Sequence, residues 1–142
     1  MIALIDTNVV LDVVLTNAVF SNSSKAILDC AEQKRYTGYI SASAITDIYY
    51  ITRKRLGKKI AKEAIKELLH IFYPATVTDS HIFQALDLDW DDFEDSVQFV
   101  VGEGLAVDYI ITRNTQDFAP GSIPAVTPEQ FIKVITHSDL DL

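Results

Sequence analysis

The sequence has little of several residue types, and each scarcity excludes a class of protein. Its single cysteine, Cys30, permits no disulfide within the chain and no thiolate metal site. No run approaches the roughly 18 apolar residues of a membrane span, and no basic segment precedes the first apolar strand pattern. A chain of 142 residues has room for one core and is short for two. We therefore expect a single domain over residues 1–142 in the reducing cytoplasm, with no membrane partner.

Basic residues are also scarce in the second half of the chain. Residues 1–71 hold 10 Lys+Arg against 7 Asp+Glu, whereas residues 72–142 hold 2 against 13, which together give the net charge of −8. An acidic protein is a poor general nucleic-acid binder, but a local basic segment can hold phosphates beside carboxylates if cations cancel the repulsion. The same segment also fits an amphipathic helix with a solvated face. Its seven bases are Arg53, Lys54, Arg55, Lys58, Lys59, Lys62 and Lys66.

Apolar segments alternate with helical patterns along the whole chain. Strands separated by helices predict the α/β class, as a three-layer α/β/α sandwich with a central, mainly parallel sheet. The predicted strands are 2–5, 37–41, 75–77, 109–112 and a short one near 124–126. Helices are predicted from about residue 8, over 22–34, 43–56, 59–72, 79–87 and 93–104, and from Thr127-Pro128-Glu129, with a frayed tail at 137–142.

Four aspartates stand at the edges of these apolar segments: Asp6, Asp47, Asp95 and Asp117. Open α/β sheets bind ligands at the carboxyl ends of their strands, where residues from distant segments meet. The recurrence of acids at such edges indicates a metal site.

Two of these acids also have a purely structural interpretation. Asp6, Thr7 and Asn8 are all residue types that cap helices. Capping needs only one of them, and three hydrogen-bonding side chains at one strand end favour a functional site. Asp47 could belong to a solvated helix face, because it shares the i, i+4, i+7, i+11 spacing with Ser43, Tyr50 and Lys54.

The acidic run and the segment after the fourth strand offer similar alternatives. Six acids fall within residues 87–95, more than the dipole at a helix start requires. Their mutual repulsion either keeps the loop mobile or is relieved by a divalent cation. Asp95 would face the strand ends, and Asp92 is its closest competitor. Arg113 could clamp a phosphate or neutralise Asp95 or Asp117, and the sequence leaves both open.

Together these segments resemble the PIN-domain nucleases, a family that includes toxin subunits of bacterial toxin–antitoxin pairs. The resemblance covers nearly the whole chain and implies a parallel sheet flanked by helices, with a Mg²⁺ or Mn²⁺ site that hydrolyses RNA. It rests on Ile5-Asp6-Thr7-Asn8-Val9, Ser41-Ala42-Ser43 before Asp47, Asp92-Phe93-Glu94-Asp95, and Ile111-Thr112-Arg113-Asn114 with Asp117-Phe118.

By position, the resemblance assigns Asp6, Asp47 and Asp95 as the three core metal-binding and catalytic acids. The chain departs from the family at two points. The second acid is often glutamate in the family, and Asn114 stands where many members have aspartate, so Asp117 is expected to supply the fourth ligand. The residues expected to orient the ligands are Thr7, Asn8, Asp92, Thr112 and Asn114. Those expected to bind substrate are Arg113, Arg53, Lys54 and Lys58.

The leading hypothesis is a metal-dependent endoribonuclease, a toxin-like PIN domain that hydrolyses RNA at a two-metal-type acidic site. This hypothesis also includes a cognate antitoxin as partner and a homodimeric state. Asn114 and Asp47 motivate an alternative, a catalytically weak PIN-like module that binds RNA or protein. A third hypothesis, phosphoryl transfer with Asp6 as acceptor, is weakened because Asn8 replaces a second acid and no lysine follows Thr112.

Overall fold

A computed structural model describes residues 1–140 of the chain. The strands are β1 (Ile2–Ile5), β2 (Thr37–Ser41), β3 (Tyr73–Ala75), β4 (Tyr109–Ile111) and β5 (Ala125–Val126). The helices are α1 (Thr7–Val14), α2 (Ser21–Glu32), α3 (Ala42–Leu56), α4 (Lys58–Ile71), α5 (Asp79–Leu88), α6 (Phe93–Gly104) and α7 (Pro128–Leu140), with a 3-10 turn at Thr115–Phe118.

The five strands form one parallel sheet in the order β3-β2-β1-β4-β5. The chain moves outward from β1 in one direction through β2 and β3, and later in the other through β4 and β5. This reversal of strand order lies between β1 and β4, and parallel sheets open a crevice at such a point. Asp6 follows β1 there, and its backbone N–H donates to the Ile111 carbonyl at the end of β4 (2.9 Å).

Helices cover both faces of the sheet, and successive residues of β1 point to opposite faces. Ala3 and Ile5 belong to the core under α1, α2, α3, α4 and α7, whereas Leu4 belongs to the core under α5 and α6. The predicted three-layer α/β/α sandwich is therefore confirmed.

Most predicted elements are present, with shifts at their ends. β3 begins at Tyr73 and ends at Ala75, two residues before the predicted strand, because it pairs in register with Tyr39–Ser41 of β2. Its Pro74 is tolerated on this edge strand because an edge residue can lack an N–H donor. The prediction of a frayed tail is wrong up to Leu140, where α7 ends, and residues 141 and 142 lie outside the described part. Within residues 1–140, no helix has the length and apolarity needed to cross a membrane.

Candidate active site

An open cavity of about 380 Å³ lies at the carboxyl ends of β1 and β4. Each acid reaches it from a different element. Asp6 caps α1, Asp47 lies in the second turn of α3, Asp95 in the first turn of α6, and Asp117 in the 3-10 turn after β4. The structure thus brings together the four aspartates predicted as metal ligands. The full lining is Asp6, Thr7, Asn8, Leu11, Asp47, Ile51, Asp92, Glu94, Asp95, Asn114 and Asp117.

Four donors hold the carboxylate of Asp6, which is only 6% exposed. Its Oδ1 accepts from the Thr7 backbone N–H (2.7 Å) and from Gln98 Nε2 (2.9 Å). Its Oδ2 accepts from Thr112 Oγ1 (2.7 Å) and from Asn8 Nδ2 (3.1 Å). A carboxylate has about four lone-pair sites, so these four donors fix its position.

Asp92 and Asp95 occupy different positions at the start of α6. The Asp92 side chain caps the helix by accepting from the Asp95 backbone N–H (3.0 Å), so Asp92 serves the helix start while Asp95 and Glu94 reach into the cavity. Glu94 Oε1 also accepts from Thr7 Oγ1 (3.4 Å), which ties α6 to α1 across the cavity. Asp92 therefore caps α6 and also lines the rim of the cavity.

Burial and charge repulsion raise the pKa of two acids in the cavity, Glu94 and Asp95. The pKa of Glu94 is raised to about 7, first by burial of its carboxyl and then by a hydrogen bond and charge repulsion from Asp47 and by the charges of Asp6 and Asp92. Burial, followed by the charges of Asp6, Asp92 and Asp117, also raises the pKa of Asp95 to about 7. Near neutral pH, protons therefore partly relieve the repulsion that a cation would relieve more fully.

Thr112 and Asn114 follow the end of β4, as the sequence predicted. Of these two residues, Asn114 lines the cavity and Thr112 does not. Thr112 is fully buried, and its hydroxyl both donates to Asp6 and accepts from the Asn114 backbone N–H (3.0 Å). Asn8 Oδ1 accepts from the Arg113 backbone N–H (3.3 Å). The segment after β4 is thereby fastened to Asp6 and to α1.

The structure places the Arg113 guanidinium against Asp12, away from Asp95 and Asp117. Its Nε lies 3.1 Å from Asp12 Oδ2, close enough for an ion pair but without the alignment of a hydrogen bond. The guanidinium also stacks over the Phe20 ring, 4.3 Å from its centroid. Of the two alternatives left open for Arg113, neutralisation of Asp95 or Asp117 is not what the structure shows, because Asp12, a buried acid on α1, holds the guanidinium.

The other three residues predicted to bind substrate are exposed and lie outside the cavity. Arg53 and Lys54 belong to the last turn of α3, and Lys58 begins α4. Ile51, two residues before Arg53 on α3, does line the cavity. The basic segment is therefore a surface that starts beside the acidic site and leads away from it.

A family model described as PIN domain matches residues 3–116. The chain belongs to the PIN domain family. No curated protein sequence matches the chain.

Solved structures show the same fold at low sequence identity. VapC20 of Mycobacterium tuberculosis, a Sarcin-Ricin loop cleaving toxin, is 16% identical with a TM-score of 0.69, over 84% of this chain and 95% of that one. VapBC2 of Rickettsia felis, bound to a DNA fragment from its promoter, is 14% identical with a TM-score of 0.71, over 89% and 98%. A toxin–antitoxin complex from Klebsiella pneumoniae is 21% identical with a TM-score of 0.66, over 89% and 97%.

In this PIN domain the sequence analysis missed Glu94 and Gln98. Both lie on α6, where Gln98 follows Glu94 by four residues and Asp95 by three, the spacings of neighbours on one helix face. Gln98 is fully buried, and its Oε1 has no hydrogen-bond partner while its Nε2 holds Asp6. A lone amide inside the apolar run Val97–Val101 was the signal that could have revealed it.

The donor set of the cavity fits a hard divalent cation by its chemistry. Carboxylate oxygens are the ligands that Mg²⁺ and Mn²⁺ prefer, and two of the acids carry the raised pKa values of a site with surplus charge. As the side chains of the described residues stand, no three His, Cys, Asp or Glu converge tightly enough to coordinate one ion. Binding would therefore require the more exposed acids to turn toward the fixed carboxylate of Asp6.

Proposed function

We propose that this PIN domain is an endoribonuclease that depends on Mg²⁺ or Mn²⁺ and acts as a toxin-like member of its family. One observation carries the proposal. Besides Asp92, which caps α6, five carboxylates from four separate elements line one open cavity at the reversal point of the parallel sheet: Asp6, Asp47, Glu94, Asp95 and Asp117. A structural role alone does not account for five acids in one place, because their mutual repulsion destabilises the fold.

The bound cations would supply charge neutralisation at the scissile phosphate and a more acidic water for attack at phosphorus. Asp6 would hold the first ion by giving up one of its four hydrogen bonds, because the remaining donors keep its carboxylate in place. Asp95 and Glu94 would release their protons to the medium as they become ligands, since ligation requires the charged form. Asp47 from α3 and Asp117 from the 3-10 turn would complete the site.

The chain's similarity to VapC20, which is described as a toxin that cleaves the Sarcin-Ricin loop, supports RNA as the substrate class. The similarity to the toxin–antitoxin complex from Klebsiella pneumoniae supports a cognate antitoxin as partner. We expect the free chain to be a homodimer. An apolar groove of about 320 Å³ between α1, α2 and α4 is a candidate seat for such a partner. We place the protein in the cytoplasm, where its one cysteine, buried and free, stays reduced.

The acceptor-aspartate hypothesis loses support in the structure. Asn8, an amide, contacts Asp6 where this hypothesis needs a second acid, and the side chain from the end of β4 that reaches Asp6 is Thr112, where it needs a lysine. The weak binding module remains the alternative, because Asn114 at the cavity rim provides an amide where many family members have a carboxylate.

The direct test is incubation of the protein with a pool of labelled structured and unstructured RNAs, with Mn²⁺, Mg²⁺ or a chelator. We expect cleavage with either ion, none with chelator, and loss of cleavage in Asp95→Asn. Asp87→Asn is the matched control, because Asp87 is an exposed acid on α5 that does not line the cavity. RNA binding without cleavage in the native protein would instead favour the binding module.

A further inference from the structure

Tyr50 lies one helical turn beyond Asp47 on α3 and is 64% exposed. Residues 47, 50, 51 and 54 are spaced by three, four and seven positions, so they share one face of the helix. Asp47 and Ile51 also line the carboxylate cavity. We call Asp47, Tyr50, Ile51 and Lys54 the α3 face, and it runs from the cavity to the basic end of the helix.

The ring of Tyr50 contacts one neighbouring ring and is otherwise exposed to solvent. Tyr49 meets it edge to face, with centroids 5.2 Å apart and the planes at 81°. A buried tyrosine would use its ring for packing, whereas this one leaves most of its surface in water. A rigid aromatic surface of this kind can stack on a nucleic acid base with little loss of conformational entropy.

The cations that could meet a phosphate beside the cavity lie at the far end of the α3 face. Among the described residues after 71, only Arg113 and Lys133 are Lys or Arg, and Arg113 is held by Asp12 while Lys133 lies on α7. The last turn of α3 carries three exposed bases: Arg53, Lys54 and Arg55. A polyanion that enters the acidic cavity therefore finds its complementary charge along α3.

The geometry points to the α3 face as the track for single-stranded RNA next to the cleavage site, with Tyr50 stacked on a base and Lys54 paired with a backbone phosphate. With a helix rise of about 1.5 Å per residue, Tyr50 lies about 4.5 Å and Lys54 about 10.5 Å along the axis from Asp47. At about 3.4 Å per stacked nucleotide, these distances correspond to one and three nucleotides. This inference rests on the proposed ribonuclease function and names the part of the substrate that the site reads.

Stacking is tested by the affinity for a short fluorescein-labelled single-stranded RNA, measured by anisotropy with chelator in an Asp95→Asn background that does not cleave. Tyr50→Ala should weaken binding by about tenfold, because base–aromatic stacking contributes about 1–3 kcal/mol per base. Tyr50→Phe should restore it. Tyr73→Ala is the control, because Tyr73 is 60% exposed and also contacts a second tyrosine, Tyr39, but lies on the edge strand β3.

The phosphate contact is tested by the dependence of the same affinity on salt. Lys54→Gln should lower the slope of log K against log salt by about 0.7, the value for one phosphate of a single strand. Lys25→Gln, which removes an exposed base on α2, should leave the slope unchanged.

Two results would overturn the inference while the ribonuclease stands: Tyr50→Ala binding RNA as tightly as Tyr73→Ala, or poly-glutamate displacing the RNA as well as unlabelled RNA does. The second result would identify the α3 face as a site for acidic protein. If the native protein neither binds nor cleaves any RNA of the pool with Mn²⁺ or Mg²⁺, the proposed function itself fails.

Discussion

Removal of the Arg113 charge should destabilise the fold, because it leaves a buried acid beside the active site without its counter-charge. Asp12 is only 2% exposed, and its Oδ2 receives Ser24 Oγ at 3.0 Å and the Arg113 guanidinium at 3.1 Å. Burial raises the pKa of the Asp12 carboxyl, although the Ser24 hydrogen bond and the charge of Arg113 both lower it. In Arg113→Met the carboxylate would keep its burial and lose its only described counter-charge.

We expect Arg113→Met to lower the free energy of unfolding by about 3 kcal/mol at pH 8. Breaking a buried ion pair from one side costs about 3–5 kcal/mol, and the lower end applies because the Arg113 side chain is 29% exposed. For a domain of this size, the melting temperature should fall by about 10 °C. Methionine retains the apolar stem that packs near Phe20, so the loss reports the charge more than the packing.

The loss should depend on pH in a defined direction. Because the folded-state pKa of Asp12 lies above its unfolded value, deprotonation of this group destabilises the fold, and stability falls as pH rises through the folded-state pKa. The variant raises that pKa further, so its deficit relative to the native protein should be largest at pH 8 and shrink toward pH 4. Asp12→Asn should restore most of the stability of Arg113→Met.

Urea unfolding at pH 8, 6 and 4 measures these differences, with Lys133→Met as the control for loss of an exposed cation. A deficit below about 1 kcal/mol at pH 8 would contradict the reasoning, since that is the scale of an exposed ion pair. So would a deficit of the same size at every pH.

Three further predictions concern α6. Gln98→Leu should change the free energy of unfolding in urea little, because it removes a donor to Asp6 together with an unpaired buried oxygen. The same change should weaken Mn²⁺ binding in calorimetry by about tenfold or more, because Asp6 loses a group that holds it in place. Unchanged Mn²⁺ affinity would show that Gln98 does not position Asp6. Glu94→Gln should raise the melting temperature of the metal-free protein at pH 8 by relieving repulsion, whereas Glu103→Gln on the same helix should not. The pKa values of Glu94 and Asp95, raised to about 7, predict that the melting temperature of the metal-free protein falls from pH 5 to pH 8. Added Mn²⁺ should reverse this fall. A melting temperature that rises over the same pH range without metal would contradict the prediction.

The sequence predicted the sheet and the meeting of the four aspartates because both follow from local pattern and topology. β1, β2 and α6 have the predicted bounds, since apolar runs and a capping acid mark their ends. Once the strands are parallel, the carboxyl ends of β1 and β4 must lie together, and Asp6 is brought to Asp117 without any knowledge of side-chain contacts.

The sequence could not predict which partner each polar side chain contacts. Arg113 follows β4 and looked free to reach Asp95 or Asp117, but Asp12 lies one turn after Asn8 on α1 and is nearer to it in space. Asp12 offered the same signal as Asp47, a lone acid among apolar residues of a helix. Only the packing of α1 against the segment after β4 decides that one acid is paired and the other faces the cavity.

The central claim is that the five carboxylates form one site for a divalent cation, and Mn²⁺ binding by isothermal titration calorimetry at pH 7.5 tests it most directly. We predict saturable binding in the native protein, weakened at least about tenfold in Asp95→Asn and in Asp47→Asn and unchanged in Asp87→Asn. Binding of equal strength in all four proteins, or none in the native protein with RNA present, would contradict the claim.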